Sequence, residues 1–217
     1  MSAIPFIHRI TISREDAEEA FELVQWDLWK RGVLWEGSKL GQIKLKYHQR
    51  AVGDRPDFRN IRDILTTAAS DIGKFIRGKS GRKLSTEGYW WNGYIHIPHY
   101  GFWLGRQASI EDVIRHEFGH ALADLYPRAL SKGGLFRKAF GGTYGPTPVE
   151  ERGVEGWEDR YVSEYATSAT EEDFAETFML FVKHKGKMPR QFAGKPAIKK
   201  KWAAVAEIVK RVAAATK

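Results

Sequence analysis

Cysteine is absent from this chain of 217 residues. Its absence excludes disulfides, thiolate zinc ligands and a cysteine nucleophile together. The sequence also lacks an apolar run of 18 residues, so it predicts no membrane span. The stretch from Met1 to Asp16 lacks the charged start and long apolar segment of a secretory signal. We therefore expect a cytoplasmic protein, with a trimmed presequence or secretion without a signal peptide left open.

Length and composition favour one domain. With 217 residues, 42% of them hydrophobic, the chain can bury a core without needing disulfides or a structural metal to fold. We expect a single domain over residues 1–217, in which residues 1–57 are a candidate N-terminal appendage and residues 187–217 form a basic C-terminal helix. Apolar periodicity also predicts a helix over residues 55–78.

The net charge of +8 is unevenly distributed. Residues 183–217 carry eleven Lys/Arg against one acid, whereas residues 150–176 carry ten Asp/Glu against two Arg. A basic tail can attract nucleic acid, but a solvated helix face explains such a run more simply. We therefore expect a peptide or protein partner rather than nucleic acid.

Local signals mark the start of two helices and one hairpin. Ser13 and Ser109 each stand before an apolar-periodic segment with acids in its first turn, as helix-capping residues do. Asn92-Gly93 separates two β-prone runs and predicts a hairpin, because both turn residues tolerate positive φ. Pro98 ends the second run and indicates a strand at a sheet edge.

Two histidines and a glutamate on the helix after Ser109 carry the functional signal. His116 and His120 lie four residues apart, so their rings share one helix face and can both bind a zinc ion about 2.0–2.1 Å away. Glu117 lies one step around the helix, where it can take a proton from water activated by the metal. His-Glu-x-x-His on a helix is the signature of zinc metallopeptidases. Gly119 would let another segment approach this helix closely.

A catalytic zinc normally has three protein ligands and one open position. Position 126 is Tyr where a metzincin has its third histidine, and Gly145 stands where an aspzincin has an aspartate. His184 lies at a helix end among lysines and is expected to face solvent.

Glu172 and Glu176 are the best candidates for this third ligand. They share one helix face, so one carboxylate can bind zinc while the other accepts the free N–H of a zinc-binding histidine. The alternative is that these acids complement the positive end of the helix dipole. That alternative explains Glu171 and Asp173, but it explains Glu176 poorly because that acid lies deeper in an apolar helix.

The combined motif resembles the gluzincin metallopeptidases. It consists of His116-Glu117-x-x-His120, then Tyr165, then Glu172-Asp173-Phe174-Ala175-Glu176. Within the gluzincins it is most similar to the branch of anthrax lethal factor and the Pro-Pro endopeptidases. The resemblance is confined to these two segments, about a tenth of the chain.

The resemblance implies a role for each motif residue. Glu172 would be the third ligand of one zinc ion, together with His116 and His120. Glu176 would accept a hydrogen bond from a zinc-binding histidine. Tyr165, seven residues before Glu172, would donate its hydroxyl to the oxyanion of the tetrahedral intermediate.

The expected fold is α+β, a zincin-like metallopeptidase domain. It would have a small mixed sheet with an edge strand over the active-site helix, and C-terminal helices that supply the third ligand. We expect "YIHIP" (residues 94–98) to be that edge strand, along which an extended peptide pairs. Asp124 follows His120 by four residues, as in thermolysin-type helices, and is expected to have a supporting role.

The expected function is hydrolysis of peptide bonds by a zinc-dependent endopeptidase with Glu117 as general base. Two alternatives remain open. An inactive zincin-like domain would keep the metal without the activity. A basic nucleic-acid-binding module would bind DNA or RNA with a steep salt dependence.

Overall fold

A computed structural model describes residues 9–34, 37–48, 88–98, 100–102, 109–145 and 156–215. Over these residues the chain is a mixed α+β structure, mostly helical, with a small three-stranded sheet. The helix expected over residues 55–78 lies outside them. None of the helices in this described part is long and apolar enough to cross a membrane.

Six α-helices and five strands make up the described structure. The helices are α1 (Arg14–Lys30), α2 (Ile110–Leu125), α3 (Pro127–Ser131), α4 (Leu135–Phe140), α5 (Thr170–Lys183) and α6 (Pro196–Ala214). The strands are β1 (Arg9–Thr11), β2 (Lys44–His48), β3 (Tyr89–Trp91), β4 (Tyr94–Pro98) and β5 (Tyr100–Phe102). Both predicted helix starts are confirmed, since Ser13 and Ser109 accept the backbone N–H three residues later.

The predicted hairpin joins β3 to β4. Asn92 and Gly93 both have positive φ, 49° and 83°, as a tight two-residue turn requires. Strand β4 runs antiparallel to β3 and parallel to β2, so the strand order is β2-β4-β3. Strands β1 and β5 pair antiparallel in a separate sheet of two.

The expectation that residues 94–98 form an edge strand is wrong. Strand β4 is paired on both sides, with Ile95 opposite Leu45 of β2 and Trp90 of β3. The side chain of Ile95 is fully buried, as suits a central strand. Pro98 is the last residue of the strand and pairs with His48 at the end of the ladder with β2, so its missing N–H lies at a ladder end. Among the described strands, β3 is an edge of this sheet.

The described elements share one hydrophobic core. On α1, Phe21, Val24 and Leu28 point inward. Trp29 does not: its side chain is 52% exposed and stacks on Trp26, with ring centroids 5.0 Å apart. On α6, one apolar face is buried throughout: Ile198, Trp202, Val205, Ile208, Val209 and Val212.

A buried ion pair joins α5 to α6 within this core. Lys201 Nζ lies 2.6 Å from Asp173 Oδ2, and the two side chains are 6% and 1% exposed. Burial raises the pKa of Asp173 to about 7, although Lys201 acts in the opposite direction. Asp173 therefore contributes to interhelical packing, unlike the helix-dipole role that its sequence position favours.

Helices α2 and α5 approach each other closely at Gly119. A Cβ at this position would lie 3.1 Å from Ala175 Cα and 3.2 Å from Phe178 Cδ1. The predicted close approach is thus confirmed, and α5 is the approaching segment. An ion pair between Asp112 of α2 and Lys183 of α5, at 2.5 Å, lies beside the same interface. These contacts set the separation of the helix with the histidines from the helix with the glutamates.

Candidate metal centre

Three donor atoms converge between α2 and α5. His116 and His120 come from α2, and Glu172 comes from the first turn of α5. The two Nε2 atoms are 3.1 Å apart, and Glu172 Oε2 lies 3.1 Å from that of His116 and 3.5 Å from that of His120. Within the described ranges, these residues form the one group of three whose donor atoms could hold a single metal ion.

The spacing and chemistry of these donors fit zinc. Ligands about 2.0–2.1 Å from a tetrahedral zinc are about 3.3–3.4 Å from each other, which lies within the observed range of separations. Imidazole nitrogen and carboxylate oxygen are both ordinary zinc ligands. Lone pairs that face each other at this distance repel unless a ring proton or a metal cation lies among them. The arrangement therefore fits a divalent cation bound by three protein ligands.

The surroundings of the His116 ring favour its positively charged form. Burial lowers the pKa of His116, but hydrogen bonds to Glu172 and Glu176 outweigh it and hold that pKa well above 6.5. Burial likewise tends to raise the pKa of Glu172. Its contacts with His116 and His120 dominate and keep that pKa well below its ordinary value. Glu172 is therefore ionised at neutral pH, as a metal ligand must be.

Glu176 contacts His116 at Nδ1, the ring nitrogen that faces away from the donor group. Its Oε1 lies 2.9 Å from His116 Nδ1, while Ser163 Oγ donates to its Oε2 at 2.5 Å. An ionised carboxylate only accepts hydrogen bonds, so Nδ1 of His116 carries a proton, and in the neutral ring that a metal requires Nε2 would present its lone pair to the donor group. Ser163 also accepts the N–H of Ala166 at 3.1 Å, which ties it to the turn Tyr165–Thr167.

His120 has a different outer partner. Its Nδ1 lies 2.8 Å from the hydroxyl oxygen of Tyr144, in the glycine-rich stretch after α4. Burial raises the pKa of Tyr144, and the charges of Asp124, Glu171 and Glu172 raise it further, so the phenol stays neutral. Sequence reasoning missed both Tyr144 and Ser163. Each lies in a segment without periodicity, and no spacing rule links it to the residue that it contacts.

Glu117 and Tyr165 lie beside the donor group without belonging to it. Glu117 is on α2 and only 5% exposed, and its charge acts on His116 and on Tyr165. The Tyr165 ring lies 5.8 Å from the His116 ring, centroid to centroid. Burial raises the pKa of Tyr165, and so do the charges of Glu172 and Glu117 and a hydrogen bond with Glu172. Its hydroxyl is therefore neutral and close to the proposed third ligand.

The remaining candidate residues lie outside the donor group. Asp124 accepts the indole N–H of Trp90 at 2.9 Å, which connects the edge strand β3 to α2. His184 is the exposed C-cap of α5, in agreement with its predicted position at a helix end.

Comparison with known proteins supports a zinc-binding, metallopeptidase-like segment. Residues 111–194 match the model of a family described as "Putative zinc-binding metallo-peptidase". This segment is similar to a zinc metallopeptidase family. The match covers less than half of the chain but contains all three donor residues, and it does not distinguish one branch of metallopeptidases from another. No curated protein and no solved structure matches the chain.

Proposed function

We propose that the chain is a zinc-dependent endopeptidase with a zincin-like fold. The observation that carries the proposal is the donor group of His116, His120 and Glu172, with atoms 3.1–3.5 Å apart and the buried Glu117 beside it. The family match over residues 111–194 supports the same chemistry independently of the geometry.

We further propose the gluzincin type, in the branch of lethal factor and the Pro-Pro endopeptidases. Support comes from the chemical nature of the third donor, which is a glutamate on a later helix rather than a histidine or an aspartate. The contact of Glu176 with a histidine of the donor group and the short distance between Tyr165 and His116 agree with the roles implied by that resemblance.

The proposed reaction adds water across a peptide bond. Bound zinc would polarise the scissile carbonyl and lower the pKa of a water molecule towards ~7. Glu117 accepts a proton from the attacking water as the new C–O bond forms. It then delivers that proton to the amine nitrogen as the C–N bond breaks. Tyr165 donates its hydroxyl to the oxyanion, a contact whose loss typically costs roughly 10²–10³ in kcat.

The substrate would be an extended peptide that pairs with β3. We assign this role to β3 rather than to residues 94–98, because β3 is an edge among the described strands. The indole of Trp90 on β3 also donates a hydrogen bond to Asp124 of α2. Tyr89 and Trp91, on either side of Trp90, are 46% and 58% exposed and could contact substrate side chains. Backbone pairing of this kind supplies affinity, while the side chains supply selectivity.

The test combines metal content with hydrolysis of a mixed peptide library. Wild type and Glu117→Gln should each contain about one zinc per chain, with hydrolysis by the wild type alone. Glu111→Gln, on the first turn of the same helix, is the matched control and should keep both properties. Zinc without hydrolysis in the wild type would favour the inactive zincin-like alternative. A wild type without zinc would refute the proposal.

A further inference from the structure

We infer that Tyr144 is a positioning residue for His120: its hydroxyl accepts the Nδ1–H of that ring and so directs Nε2 towards the metal. The inference rests on the proposed zinc site. It starts from the 2.8 Å separation between the Tyr144 hydroxyl oxygen and His120 Nδ1. No spacing in the sequence and no comparison with known proteins assigns a role to this tyrosine.

A histidine can bind a metal through Nε2 only if the proton of the neutral ring is on Nδ1. The acceptor opposite Nδ1 decides which tautomer is present, and it also sets the ring angle. His116 has a carboxylate in this position, Glu176 at 2.9 Å. His120 has the hydroxyl of Tyr144 instead. The two histidines of one helix are therefore oriented by chemically different groups.

The Tyr144 ring is held by aromatic packing. Its centroid lies 5.7 Å from that of Phe136 on α4 and 6.0 Å from that of Phe174 on α5, both in edge-to-face geometry. Phe136 and Phe174 are each at most 3% exposed, so the tyrosine ring rests against a firm part of the core. A ring held in this way can keep its hydroxyl at one position without help from solvent.

The backbone on both sides of Tyr144 is attached to α5. Thr170, the first residue of that helix, donates its hydroxyl to the carbonyl of Thr143 at 2.7 Å and also lies 3.1 Å from that of Gly145. Glu172 follows Thr170 by two residues on the same helix. The start of α5 therefore positions both the third ligand and the acceptor for His120, although they lie in separate segments of the chain.

The same geometry excludes Tyr144 as the donor to the oxyanion. Its hydroxyl faces Nδ1, on the opposite side of the imidazole from Nε2 and the converging donor atoms. The hydroxyl of Tyr165 interacts instead with Glu172, within the donor group. The site thus has two partly buried tyrosines with distinct contacts, one at Nδ1 of a histidine and one at the carboxylate of Glu172.

The first test is a zinc competition titration with a chelator, which needs no enzymatic activity. Tyr144→Phe keeps the ring and its packing but loses the hydroxyl, so zinc should bind about 10–100-fold more weakly. The matched control is Tyr47→Phe, because the hydroxyl of Tyr47 donates to the Ile12 carbonyl at 2.6 Å, outside the donor group. This variant should keep wild-type affinity. Equal affinity of Tyr144→Phe and wild type would overturn the inference.

The second test measures the ¹⁵N shifts of the His120 ring by NMR in the metal-free protein. The neutral ring should be in the Nδ1–H form in the wild type, and Tyr144→Phe should show a mixture of both neutral tautomers. An Nε2–H form in the wild type would refute the role of Tyr144 even if zinc binds. A wild type that binds no zinc would refute the proposed function instead, so the two failures are distinguishable.

Discussion

Gly119→Ala tests whether the contact between α2 and α5 sets the geometry of the metal site. The added methyl would lie 3.1 Å from Ala175 Cα, 3.2 Å from Phe178 Cδ1 and 3.4 Å from Ala175 Cβ. Carbon atoms pack comfortably at about 3.5–4.0 Å, so the helices would have to separate by about 0.4 Å or more. Because α2 carries both histidines and α5 carries Glu172, this movement widens the donor group.

We expect Gly119→Ala to weaken zinc binding more than it lowers the free energy of unfolding. Overpacking of this kind costs about 1–3 kcal/mol, whereas alanine gains about 0.8–1.0 kcal/mol over glycine inside a helix. The free energy of unfolding of the metal-free protein should therefore fall by about 0–2 kcal/mol. Zinc tolerates changes of only about 0.2 Å in its ligand distances. To bind zinc, the variant must therefore bring α2 and α5 back to their original separation, against the repulsion of the added methyl. If bringing the helices together costs about 1–3 kcal/mol, zinc binding weakens by about 5–150-fold.

Two assays measure these quantities separately. Urea denaturation of the metal-free protein gives the stability, and chelator competition gives the zinc affinity. Gly194→Ala is the matched control, because a Cβ there meets no atom within 4 Å. This variant should change neither quantity appreciably. If Gly119→Ala binds zinc as tightly as the wild type, the separation of α2 from α5 does not limit the site and the reasoning is wrong.

Three further substitutions probe the surroundings of the donor group. Glu176→Ala removes the acceptor for His116 and should weaken zinc binding by about 10–100-fold in the competition titration, and unchanged affinity would disprove its role. Ser163→Ala removes only the hydroxyl that donates to Glu176, so zinc affinity should fall less, by up to about tenfold. A larger fall in zinc affinity than for Glu176→Ala would contradict this order. Lys201→Met leaves Asp173 buried without its cation and should lower the free energy of unfolding by about 3–5 kcal/mol in urea, whereas an unchanged midpoint would show that the pair contributes little.

Local sequence signals predicted most of the described secondary structure. Capping serines, the Asn92-Gly93 turn and the apolar face of α6 depend on interactions within a few residues, so they can be read without knowledge of the fold. Trp29 shows the limit of this reasoning. The apolar stripe of α1 includes it by spacing, yet its side chain is 52% exposed and stacks on Trp26.

The sheet could not be predicted in the same way, because strand order is a property of the whole fold. Pro98 indicates an edge in isolation, yet β4 lies between β2 and β3. Nothing within residues 94–98 specifies that a strand from some fifty residues earlier in the chain pairs with them in parallel. The burial of Ile95 and Ile97 is the property that a central position requires.

The three donor residues could be predicted from the sequence, whereas two of the residues that hydrogen-bond to the side chains of the site could not. Helical spacing brings His116 and His120 to one face, and the resemblance identified Glu172, which the structure brings to the same point. Tyr144 and Ser163 act from irregular segments, where no periodicity relates position to contact. Their contacts with His120 and Glu176 arise from how the segments before α5 fold back onto α2.

Zinc-edge anomalous diffraction from crystals of the wild-type protein tests the central claim most directly. We predict one anomalous peak per chain, about 2.0–2.2 Å from the Nε2 atoms of His116 and His120 and from a carboxylate oxygen of Glu172. A zinc-loaded crystal with no peak between α2 and α5, or with Glu172 turned away from the ion, would contradict the account.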